Sequence, residues 1–247
     1  MDKFFVDENQ IEEMNIKIID KDVKHIRDVL RLKLNSNIMI SSNNINYLCE
    51  IVQMEKHEII SKIISKSEGV SEPKIEIILY QGLSKGSKMD FILQKGTEIG
   101  VKDFYPVATY RSIVKINDLK KEQGKLDRWN LITEEAAKQC KRDYIPKVNS
   151  ILNFDDMIKL LDKEENIIVP YENEDGLTIG KGLENISTNK IHLIIGTEGV
   201  FEEEEIEKLR GIRAKIVTLG NRILRTETAG FVASTIILYE LGNLGVI

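Results

Sequence analysis

Three stretches in the last third of the chain gather residues that can do chemistry: VPYENE at 169–174, IIGTEGVFEEEE at 194–205 and VTLGNRILRTETA at 217–229. Gly196, Gly199 and Gly220 allow sharp turns and let the backbone lie close against a ligand. Amides and carbonyls brought that near can read an adenine or a ribose. Each stretch follows an apolar run that reads as a strand, and in open α/β sheets ligands settle outside the carboxyl ends of the strands. One such loop would be an ordinary turn; three at neighbouring strand ends point to a site. Glu202, Glu203, Glu204 and Glu205 could suggest a metal, but they fall where a helix begins. The positive end of the helix dipole accounts for them, so no metal is expected. No G-x-G-x-x-G follows the early strand and no GKS/T motif occurs, which sets aside dinucleotide and P-loop sites.

The elements that must hold these loops follow from periodicity. KIEIILYQGL (74–83) is an Ile-rich run suited to a strand buried on both faces. KMDFILQKGTEIG (88–100) reads as an amphipathic helix closed by Gly100. DFYPVAT is a strand, and the long helix within 120–146 must stop before Pro146. NIIVPYE, KIHLIIG and KIVTLG are three more strands, with helices expected at 201–209 and 226–241. Strands separated by helices imply a parallel α/β sheet. The first 72 residues differ. VKHIRDVLRLK (23–33) has a helical period, and strand patterns then flank the Asn-rich turn SSNNIN (41–46). The polar SKSEGVSEP (65–73) is the expected linker.

Composition is that of a soluble globular protein, and no run is long and apolar enough to span a membrane. The N-terminus has an acid at position 2 and no apolar h-region, so no signal peptide is expected. Two distant cysteines, Cys49 and Cys140, fit a reduced cytoplasmic setting rather than a disulfide framework or zinc site. The net charge of −5 divides unevenly: −3 over 1–72, +5 over 73–150 and −7 over 151–247. A surface facing phosphates should therefore draw on the middle segment.

GTEGVFEEEEIE looks like the signature G-P-E-G-G-[FL]-[ST]-x-x-E, and LGNRILRTETA matches L-G-x-R-I-L-R-x-E-T-A almost position for position. HIRDVLRLK, KMDFILQKGTEIGV, YRS at 110–112 and RWNLITEEAAKQCKRDYIPKV add further matches in the same order. Together they resemble the RsmE family, the 16S rRNA uracil-N3 methyltransferases of the SPOUT class. The resemblance implies an α/β fold with a deep C-terminal trefoil knot over 73–247, preceded by a PUA-like RNA-binding β-barrel over 1–72. It also implies S-adenosyl-L-methionine as cofactor, a homodimer in the cytoplasm, no membrane, and a uridine in 16S rRNA of the small ribosomal subunit as target. A SPOUT ribose 2′-O-methyltransferase and a non-catalytic RNA-binding assembly factor are the alternatives.

On that resemblance the cofactor would be held by Val169, Pro170, Ile195, Gly196, Thr197, Glu198, Gly199, Leu219, Gly220, Ile223, Leu224 and Arg225. Ile223 and Leu224 would wall the adenine. Arg225 would reach the methyl acceptor and stabilise the uridine anion, with Glu198 as the other catalytic candidate and the general base unassigned. Arg222 and Arg225 could instead form structural ion pairs with Glu198 or Glu227. Thr226 would cap the last helix. His25, Arg27 and Arg31 would join Lys88, Lys95, Arg111, Arg128 and Arg142 on RNA, with Arg27 and Arg31 sharing a helix face. Three positions depart from the family pattern. Thr197 stands for its proline, Val200 for its second glycine, and Cys140 where a serine is frequent. A β-branched residue at 200 would be strained if that position needs a positive φ.

Overall fold

The computed structural model describes residues 1–112 and 119–245. The chain divides into two compact units: Met1–Glu72 with Ala137–Ile145, and Pro73–Ala136 with Pro146–Ile247.

The first unit is built on β1 (Lys3–Phe5), β2 (Asn15–Ile19), β3 (Asn37–Ser42), β4 (Ile45–Met54) and β5 (Glu58–Glu68), in the order β1-β3-β4-β5-β2. Alternate residues bury one face. Ile16 and Ile18, Ile38 and Ile40, Cys49 and Ile51 meet Phe4 and Ile59 in the core. Irregularities in the β4–β5 register let these long strands bend around it. Asn43 and Asn44 (φ 46° and 61°) make the expected tight turn between β3 and β4, since asparagine tolerates the left-handed region.

Three expectations change here. The helical period at 23–33 becomes a short helix α1 (Asp20–Lys24) that widens into a π-turn at His25–Val29. Arg31 lies beyond it in left-handed backbone (φ 54°), so Arg27 and Arg31 do not share a helix face. The linker is shorter than 65–73, because residues 65–68 continue β5 against β4. Residues 137–145 fold with this unit rather than the second, held by buried Arg142 and Asp143.

The second unit alternates strand and helix: β6 (Glu76–Gly82), α2 (Lys88–Ile99), β7 (Asp103–Ala108), α3 (Leu119–Cys140), β8 (Lys147–Val148), β9 (Leu152–Asn153), α4 (Phe154–Leu161), β10 (Ile167–Pro170), α5 (Ile179–Gly182), β11 (Lys190–Ile195), α6 (Glu203–Gly211), β12 (Lys215–Val217) and α7 (Thr226–Glu240). The strands form a parallel sheet in the order β12-β10-β11-β6-β7-β8, with β9 also on β7. Both faces are covered. Ile77 and Leu79 of β6 pack with Leu93, Ile237 and Leu238 of α2 and α7. Ile78 and Tyr80 pack with Met157 of α4 and Ile206 of α6. That two-sided burial is why β6 reads as an unbroken apolar run. Gly100 (φ 115°) closes α2 as expected.

Candidate active site

β10, β11 and β12 are neighbours in the sheet and parallel, so the loops after them emerge side by side. They enclose a cavity of about 400 Å³. Pro170 lines it from the end of β10. Ile195 contributes from the end of β11, Gly196, Thr197 and Glu198 from the loop after it, and Leu219, Gly220, Ile223, Leu224 and Arg225 from the loop after β12. Two expected residues do not reach it. Val169 is wholly buried in the sheet core, and the open side of Gly199 faces Arg111, where a Cβ would stand 3.0 Å from the arginine's own. Tyr171, Glu172 and Phe201 also line the cavity; they lie in the stretches 169–174 and 194–205 that the sequence marks out, but are not singled out there as ligand contacts.

The loop after β11 shows how this chain manages its two departures. Val200 N–H donates to the Thr197 carbonyl at 3.1 Å, closing a turn. Gly199 N–H donates to Thr197 Oγ1 at 3.3 Å, so the hydroxyl supplies a local restraint where proline would have fixed φ. Val200 sits at φ 59°, the left-handed strain that its β-branched side chain made a concern. Gly220 (φ 95°) is glycine for the same backbone reason, and a Cβ there would project into open space beside the cavity.

Charges around the cavity differ in how closely they are paired. Lys88 Nζ lies 2.9 Å from Glu198 and 3.5 Å from Glu227. Burial pushes the Glu198 carboxyl up, but Lys88 and the local backbone outweigh it and hold it below the usual glutamate value. Glu198 is thereby a weak proton acceptor, which argues against it as the general base. Arg225 pairs loosely with Glu227, at 4.0 Å, and its side chain is 82% exposed, so its guanidinium stays available. Ile223, at 78% exposure, presents a largely open apolar side chain to the cavity. Thr226 does not cap α7. Arg225 occupies that position without a side-chain cap, and the Thr226 hydroxyl instead donates to the Gly196 carbonyl at 2.5 Å.

The four glutamates do begin a helix. Glu202 precedes α6, and Glu205 accepts from the Glu202 and Tyr110 backbone amides, both at 2.9 Å. His192 is structural, as expected. It is buried in β11, with Nε2 3.1 Å from Glu164 and Nδ1 3.3 Å from Tyr80 Oη, and burial lowers its pKa despite Glu164.

The expected RNA-facing residues separate by environment. In the first unit, His25 and Arg31 are exposed and Arg27 pairs with the adjacent Asp28 at 2.7 Å. Arg142 is a correction. It is buried at 4% exposure and clamped on Glu72 at 2.5 Å, so it cannot face a phosphate. In the second unit, Lys88 belongs to the cavity, Lys95 pairs with Glu98 at 2.8 Å and Arg128 with Asp90, while Arg111 reaches Glu202 at 3.2 Å.

Residues 71–238 match the family model for an RNA methyltransferase domain, and residues 18–64 that for an RNA methyltransferase PUA domain. The structure superposes on a ribosomal RNA small subunit methyltransferase E from Neisseria gonorrhoeae bound to S-adenosyl methionine, with TM-score 0.84, 29% identity and 97% of each chain covered. Two curated relatives carry the same name. That of Bacillus subtilis is 31% identical over 97% of both chains, and that of Mesomycoplasma hyopneumoniae is 35% identical over 93% of this chain and 95% of its own. Likeness of this extent, running through both units and the cavity loops alike, means that the chain belongs to the ribosomal RNA small subunit methyltransferase E family.

Proposed function

We propose that the protein is an S-adenosyl-L-methionine-dependent methyltransferase that methylates N3 of one uridine in 16S rRNA of the small ribosomal subunit, acting as a cytoplasmic homodimer. One observation carries the reading: a cavity at three adjacent strand ends has an apolar wall, a glycine-opened floor and a largely exposed guanidinium at its side. Ile223 and Leu224 suit the face of an adenine. The open side of Gly220 leaves room that a Cβ would take, and Glu172 and Glu198 supply negative charge for a cationic ligand. The cofactor supplies a methyl group on a sulfonium.

The protein's own part is positioning and electrostatics. Uracil N3 carries a proton at neutral pH. Arg225 cannot be a base, but it favours the uridine anion as that proton passes to solvent water, an interaction stronger in the transition state than in the ground state. Glu198, held ionised by Lys88, serves the cavity's charge and shape instead. Exposed Arg31 and His25 of the first unit are the RNA contacts retained there, with Arg27, while Lys95, Arg111 and Arg128 serve the second unit. The order β12-β10-β11, in which the last strand lies beside an earlier one, supports a C-terminal knot. Phe231 and Tyr239, exposed at 43% and 67% on α7, support a covered dimer face.

The test is mass spectrometry of 16S rRNA nucleosides from cells with and without the gene, and of small subunits treated with purified protein. 3-Methyluridine should depend on the protein. Gene-dependent 2′-O-methyluridine would select the ribose reading, and no change in either would select the non-catalytic one.

A further inference from the structure

Gln81 is the penultimate residue of β6 and is wholly buried, directly after the run Ile77–Tyr80. Its Nε2 lies 3.2 Å from the Gly82 carbonyl and 2.9 Å from Thr226 Oγ1. A carbonyl only accepts, so the amide orientation is set with nitrogen on this side. Gln81 therefore donates to Thr226. The hydroxyl has one proton, and it goes to the Gly196 carbonyl at 2.5 Å. The result is a directed relay from Gln81 through Thr226 to the first residue of the cavity loop. Gly82 completes the base. A Cβ there would stand 2.6 Å from Thr197 N and 2.7 Å from Gly196 C, so the loop backbone lies flat on the end of β6. Among the described residues Gln81 Oε1 is buried without a partner. An orphaned amide oxygen costs stability, so core packing alone does not account for a glutamine here.

We infer that Gln81, acting through Thr226, is a positioning residue for the cofactor: it holds the Gly196 carbonyl turned into the protein and so presets the 196–200 loop before ligand arrives. This rests on the reading of the cavity as an S-adenosyl-L-methionine site.

Calorimetry of the full-length protein with S-adenosyl-L-methionine and S-adenosylhomocysteine, beside thermal melts, tests it. Thr226→Val keeps the shape and removes both bonds; Gln81→Leu removes the donor and the orphaned oxygen together. Each should weaken binding by about tenfold or more while melting near wild type, because the lost groups preorganise the loop rather than hold the core. The double variant should bind no worse than the weaker single, since one relay is being broken twice. Thr226→Ser should restore near wild-type affinity. Wild-type affinity in folded Thr226→Val or Gln81→Leu overturns the relay, as do additive losses. If neither variant folds, the network is a core element and the positioning role fails. A wild-type protein that takes up neither ligand refutes the underlying reading instead.

Discussion

Two lysine–carboxylate clusters, one in each unit, use the same chemistry to opposite ends. In the first unit Lys3 meets Asp143 with side-chain exposures of 5% and 2%. Asp143 also accepts from Asn46 Nδ2 at 2.6 Å, Ser71 N at 2.9 Å and Ser71 Oγ at 2.7 Å. Burial works to raise this carboxyl, yet Lys3, Ser71 and Asn46 together hold it well below the ordinary range. In the second unit Lys88 meets Glu198 at exposures of 36% and 35%, shares itself with Glu227, and lines the cavity. In the first cluster the Asp143 carboxylate is buried and both its oxygens are partnered, so its bonds are structural. The second is wet and incompletely satisfied, so its charges remain open to a ligand. Opposite charge alone does not separate the two; solvent and the count of remaining partners do.

The largest way to break this contrast is Asp143→Ala. Lys3 would be left buried without a counter-charge, which costs about 3–5 kcal/mol by the scale of broken buried pairs. Urea unfolding should show it, with cofactor affinity of the folded fraction unchanged. A loss below about 1 kcal/mol would put Lys3–Asp143 on a par with a surface pair. There is also a pH signature. An acid whose folded pKa is depressed stabilises the fold above its unfolded value, near 4, and the contribution fades as pH falls through the range below. Asp143→Asn should therefore flatten the acid side of the stability profile below about pH 4.

Arg225→Ala is the counterpart at the cavity. Its side chain is mostly exposed, so the thermal midpoint should hold. Single-turnover methylation of small subunits should slow by roughly two orders of magnitude, the scale of one lost electrostatic donor. Cofactor affinity should change little. A defect lying wholly in cofactor affinity would make Arg225 a partner of Glu227 rather than a group acting on the uridine.

Val200→Gly sharpens the comparison from the side of strain. Relief of the left-handed backbone should raise stability by about 1 kcal/mol in denaturant unfolding. An unchanged or lower value would mean that packing of the valine offsets its strain. The smallest effect concerns RNA. Arg31→Ala should lower the salt slope of RNA binding by about 1, the signature of one phosphate contact. Arg142→Ala should leave that slope alone and lower the melting temperature. Equal slopes for Arg31→Ala and wild type would remove Arg31 from the RNA surface.

Much of this was legible without coordinates because it is local. Period-2 and Ile-rich runs fix strands through burial, Gly100 ends a helix through its left-handed φ, and glutamates at 202–205 mark a helix start through the dipole. Loops after three late strands could be recognised as a site by their glycines, and the LGNRILRTETA match named the family. What stayed hidden depends on contacts far apart in sequence. That Arg142 is spent on Glu72, seventy residues away, cannot be read from an arginine in a basic segment. The helical period of 23–33 could not show that a π-turn would end it before Arg31. Thr226 looked like a helix cap because caps are local; it is a link between β6 and Gly196 because the sheet order brings 81, 196 and 226 together. Residue type and spacing determined which groups could bind or stabilise charge. Only the packed sheet decided which of them are left free to do so, since freedom depends on every neighbour that burial brings within reach.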